Sequence, residues 1–145
     1  MATGRVVLKN ITKSERHAKL SCDAARLLYI YILTNCDING VYEANPYIIK
    51  GALFPLLNGN EHSVESIEKY LKEMQELDLI VLYEYEQKKY LWIKNFIEKQ
   101  PGLFKYNEAP EYPLCNEIQE IINAQWEAKK KKTKKIYYKN ENISE

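Results

Sequence analysis

A change of period within one short stretch constrains this chain more than any other feature. Val64, Ile67, Leu71, Met74 and Leu77 recur at three- and four-residue steps after Ser63, the expected N-cap, which gives a helix with one apolar stripe, and Asp78 marks its end. Leu79 to Tyr85 follows at once and is rich in Ile, Val, Leu and Tyr. Glu86-Gln87-Lys88-Lys89 is a polar break, and Tyr90-Leu91-Trp92-Ile93 is apolar and aromatic again. The stretch predicts a core-facing helix and then two antiparallel strands. The break holds no Asn-Gly and no glycine, so it leaves turn type and register open.

Upstream, the pattern predicts two more helices. Ser21 is the expected N-cap of the first, with Asp23 in its first turn and Ala24, Leu27, Leu28, Tyr31 and Ile32 at helical spacing until Asp37-Ile38-Asn39-Gly40 forms a turn. Val41 and Tyr42 leave room for a very short strand. Asn45-Pro46, a cap followed by proline at the first helical position, opens the second helix through Ile48, Ile49, Ala52 and Leu53. Downstream, Phe96 and Ile97 suggest one more helical turn before Pro101-Gly102, and Ile118, Ile121, Ile122 and Trp126 define the apolar side of a last helix. Three helices, a short strand after the first and a hairpin after the third make a mainly α chain with a small β-hairpin. Its element order is that of a winged helix-turn-helix. The expected organisation is a winged-helix domain over 1–100, a connector over 101–113, a helix over 114–128 and a basic, disordered tail over 129–145.

Charge becomes informative once it is divided along the chain. Residues 1–128 carry 14 Lys and Arg against 18 Asp and Glu, a net −4, whereas residues 129–139 hold seven lysines and no acid. Cys22, Cys36 and Cys115 form no C-x-x-C pair and are odd in number, which points to neither a disulfide framework nor a zinc site and fits a reducing cytoplasm. The N-terminal stretch lacks the apolar core of a secretory signal. The run from Leu27 to Leu33 is far shorter than the roughly 18 residues of a membrane span.

Leu20-Ser21, Ala25-Arg26-Leu27-Leu28-Tyr29, Asp37-Ile38-Asn39-Gly40, Leu53-Phe54-Pro55, Ile80, Tyr83 and Tyr90-Leu91-Trp92-Ile93-Lys94-Asn95-Phe96, ending at Gln100, form a set spread over residues 5–100. As a set it resembles the N-terminal winged-helix domains of phage replisome organisers and related DnaD-like replication initiation proteins. The resemblance implies a DNA-binding role in starting replication of a phage or prophage genome. Val41 after Gly40, and Glu98-Lys99-Gln100, both carry less positive charge than the family pattern.

If DNA is the partner, the third helix is the expected reader of bases, yet its outward positions are Glu65, Ser66, Glu68, Lys69, Lys72, Glu73 and Glu76. Carboxylates repel phosphates, and pairs such as Glu65–Lys69 and Glu68–Lys72 describe a solvated face equally well. The candidate DNA contacts are therefore Lys69 and Lys72 on that helix, Lys88 and Lys89 at the wing tip, Lys94 and Lys99 after it, and Lys129, Lys130, Lys131, Lys132, Lys134 and Lys135 in the tail. Tyr83, Tyr85, Tyr90 and Trp92 read as core and cross-strand packing, and Tyr137-Tyr138 as candidates for stacking on bases. His17 and His62 lack partners at ligand or triad spacing and read as exposed. No glycine loop of nucleotide-binding type occurs, so neither catalysis, metal nor cofactor is expected. The alternatives are a protein-interaction module docking a helicase loader or other replication protein through its acidic third helix, and a transcriptional regulator.

Overall fold

The structure, a computed structural model, describes residues 2–143, with side chains to Lys132. It holds five helices, α1 (Glu15–Ala18), α2 (Asp23–Asn35), α3 (Pro46–Leu53), α4 (Val64–Glu76) and α5 (Asn116–Ile143). With them stands a three-stranded antiparallel sheet of β1 (Val41–Glu43), β2 (Ile80–Tyr85) and β3 (Lys88–Ile93). The strand order is β1-β3-β2, so the hairpin's second strand is central and β1 lies on its far side. Val41 pairs with Trp92 on one edge and Val81 with Trp92 on the other, which buries Leu91, Trp92 and Ile93.

Local chemistry sets the helix ends. Asn45 Oδ1 accepts the Tyr47 N–H at 2.9 Å, with Pro46 fixing the first turn of α3, and Lys50 Nζ donates to the carbonyls of Phe54 and Leu57 at the other end. Ser63 Oγ accepts the Ser66 N–H and caps α4 as expected. Asp78, at φ 62°, closes α4: its N–H donates to the Gln75 carbonyl and the Leu79 N–H to that of Met74. These are the paired bonds of a Schellman stop, which releases the chain straight into β2. The core that follows from the stripes contains Leu28 and Ile32 of α2, Ile49 of α3, and Ile67, Leu71 and Met74 of α4.

Several expectations need correction. The N-cap of α2 is Cys22, whose side chain caps nothing. Ser21 is diverted because Glu73 accepts both its N–H and its Oγ–H. Residues around Phe96 and Ile97 form turns, since buried Phe96 and Ile97 are held by the core and not by a helical ladder. Leu27 is only partly buried and Ile121 is 46% exposed, while Ile118, Ile122 and Trp126 are buried. The last helix begins at Asn116, and its backbone continues through the lysine run to Ile143 where a disordered tail was expected at 129. Lysine is a good helix former, and docked turns ahead of it supply the nucleus. Both histidines are half-buried: His17 lies against Tyr29, and His62 points its edge at Phe54 with ring centres 5.0 Å apart.

Candidate nucleic-acid interface

The face of α4 and the hairpin meet in a groove. Its inner part, about 370 Å³, is lined by Pro46, Glu68, Leu71, Lys72, Glu84 and Lys89. Its outer part, about 520 Å³, reaches Glu43 and Glu65 and, at the hairpin tip, Gln87 and Lys88. The fold thus brings Lys72, Lys88 and Lys89 together, but sets Glu43, Glu65, Glu68 and Glu84 among them. Lys69 is exposed on α4 outside this lining. Glu68 and Lys72 form an i,i+4 pair at 3.8 Å; among the described residues Glu65 and Lys69 form none. Four carboxylates beside three ammonium groups give phosphate no net attraction here. Tyr90 and Trp92 are core, and half-buried Tyr83 donates its hydroxyl to the Pro113 carbonyl at 2.7 Å, its pKa pushed up by burial. Tyr83, Tyr90 and Trp92 are packing, whereas Tyr85 is 38% exposed.

Lys94 and Lys99 lie elsewhere. The length of β3, roughly 20 Å at strand spacing, separates them from the hairpin tip. Lys94 is paired with Asp78, and its hydrogen bond, helped by nearby Arg16, holds the Asp78 carboxyl below the usual range. Lys99 is exposed. With Lys13 and Lys94 it edges a groove of about 370 Å³ under the N-terminal segment, floored by Tyr29, Leu79 and Phe96.

The basic stretch leaves the domain from a built dock. Asp37 is buried and accepts four backbone N–H groups: Asn39 and Val41 on Oδ1, Glu111 and Tyr112 on Oδ2. Burial raises its carboxyl pKa and these bonds oppose the rise. Asn39 Oδ1 accepts the Trp126 Nε1–H at 3.1 Å, and Lys129 Nζ donates to the carbonyls of Ile97 and Gln100 while lying over the Trp126 ring. Lys129 therefore fastens α5 to the domain, and partial burial lowers its pKa. Lys130, Lys131 and Lys132 are exposed. The side chains of Lys134, Lys135, Tyr137 and Tyr138 lie outside the described residues.

Two exposed groups were missed in the sequence reading. Tyr47 and Ile48 on α3 are 75% and 44% exposed beside Glu65, and Phe104 and Tyr106 in the connector are 50% and 89% exposed. The aromatic-lysine-aromatic run Phe104-Lys105-Tyr106 just after Pro101-Gly102 was the available signal for the second. Among the described residues no three His, Cys, Asp or Glu side chains come together as metal ligands, and no helix is long and apolar enough to cross a membrane. No family model, no curated protein and no solved structure matches this chain.

Proposed function

We propose that this chain is a DNA-binding module of winged helix-turn-helix type, which holds the phosphate backbone chiefly through the lysines in the later turns of α5. The order α2-β1-α3-α4-β2-β3, with β1-β3-β2 in the sheet, supports the winged-helix reading. The observation that carries the DNA reading is the exposure of Lys130, Lys131 and Lys132 on a docked helix, within a sequence stretch of seven lysines and no acid. Lysines on phosphates position a protein without reading sequence, which suits a module whose α4 face carries more acid than base. A part in starting replication of a phage or prophage genome rests on the family resemblance. The test is a titration of duplex DNA across salt with K130A/K131A/K132A beside the parent: the slope of log affinity against log salt should flatten by about 2–3 units.

A second reading has its own observation. Exposed Tyr47 and Ile48 adjoin Glu43, Glu65 and Glu68, an apolar patch with an acidic rim. Such a patch fits a basic protein surface, for instance on a helicase loader or another replication protein. Tyr47→Ala would then abolish partner capture while leaving DNA affinity as it was.

A further inference from the structure

We infer that the connector between β3 and α5 is a second contact, for the unpaired bases of single-stranded DNA. The inference rests on the DNA reading above and specifies the strand that one site takes. Residues 104–107 form a turn locked on both sides: the Phe104 N–H donates to Asn107 Oδ1 at 2.7 Å, and the Asn107 N–H donates to the Phe104 carbonyl at 3.0 Å. Lys105 and Tyr106 stand at its tip, with Lys105 Nζ 5.6 Å from the Tyr106 ring centre. Tyr106 is 89% exposed and Phe104 half exposed, whereas Tyr90, Trp92 and Trp126 are buried. These two rings thus stand exposed on a turn that its own hydrogen bonds hold, with Lys105 over one face of the Tyr106 ring.

Across a groove of about 290 Å³, the turn faces Trp126, Glu127, Lys129 and Lys130 of α5. Three ammonium groups, Lys105, Lys129 and Lys130, stand against one carboxylate, Glu127, so the groove carries the charge that a phosphate backbone complements. Lys129 is already held by two carbonyls and adds its charge at a distance; Lys105 and Lys130 are the exposed phosphate partners. Aromatic faces interleaved with lysine bind single strands because every base has a π-face, while the bases of a duplex are already stacked on one another. The same lysine helix that leads away from this groove then continues the backbone contact.

The experiment is an anisotropy titration of the full chain with labelled oligo-dT and, separately, with a labelled duplex. Replacing both rings, F104A/Y106A, should weaken oligo-dT binding by about 5- to 150-fold per ring with the salt slope unchanged, and leave duplex affinity as in the parent. Tyr106→Phe, which keeps the ring, should bind oligo-dT like the parent, and Lys105→Ala should flatten the single-strand salt slope by about 0.7. The inference is overturned if F104A/Y106A binds oligo-dT as the parent does, or if Tyr106→Phe loses as much as Tyr106→Ala. If duplex binding keeps its lysine-dependent slope in that case, the DNA reading stands without this site. If the parent binds neither probe at low salt, both fall.

Discussion

At Gly40 the backbone φ is +85°, and an added Cβ would lie 2.7 Å from Cβ and Cγ of Phe96. Gly40→Ala therefore combines left-handed backbone strain with overpacking of a buried ring, and should lower stability by about 2–5 kcal/mol, read as a shifted urea midpoint. The neighbouring side chains show what a sequence reading can reach. Asp37-Ile38-Asn39-Gly40 was legible as a turn. That Asp37 and Asn39 turn inward was not, because their partners Glu111, Tyr112 and Trp126 lie 74 to 87 residues away. Arg5 and Glu108 likewise pair across 103 residues, at 2.5 and 2.8 Å, with side chains only 6% and 12% exposed. The Arg5 hydrogen bonds hold the Glu108 carboxyl below its ordinary 4.5. This pair accordingly stabilises the fold above that ordinary value and loses its effect as pH falls through the lowered one. Glu108→Gln should cost up to about 3 kcal/mol at pH 7, and its urea midpoint should converge on the parent's on acidification. Asp37 runs the other way: its raised carboxyl favours the fold below the ordinary 3.8, and that contribution is lost as pH rises through the raised value.

Elements whose signals are local were legible in the sequence: the caps at Asn45 and Ser63, the stripe of α4, and both hairpin strands. The turn type was not, because Glu86 and Gln87 are poor residues for the backbone they adopt. Both have positive φ, 49° and 67°, in the two-residue connection that β2 and β3 require, a type I′ turn. Replacing Glu86-Gln87 with Asn-Gly should raise stability by about 0.5–1 kcal/mol, seen as a higher thermal midpoint, with the register intact by amide exchange. The dock of α5 makes a complementary prediction. Trp126→Phe keeps the packing but leaves buried Asn39 Oδ1 without its donor, and should destabilise by about 1–3 kcal/mol. Removing the basic stretch should spare Lys129 if affinity is to be read apart from stability, because its ammonium holds the carbonyls of Ile97 and Gln100.

Across the whole molecule, the candidate site was legible as a count of lysines but not as a surface. The fold groups Lys72, Lys88 and Lys89 with four carboxylates, pairs Lys94 with Asp78, and uses Lys129 as a fastener. Lys130, Lys131 and Lys132 then stand as the exposed cations that lead away from the domain. None of these engagements follows from residue type, since each depends on what packing sets beside the ammonium. The most direct measurement is therefore the affinity of the full chain for duplex DNA over a range of salt, with and without K130A/K131A/K132A. The account predicts log affinity that falls linearly with log salt for any sequence, and a slope flatter by about 2–3 units in the triple variant, at unchanged stability. A parent protein with no salt-dependent DNA affinity at low ionic strength, or a triple variant with the parent's slope, would contradict it.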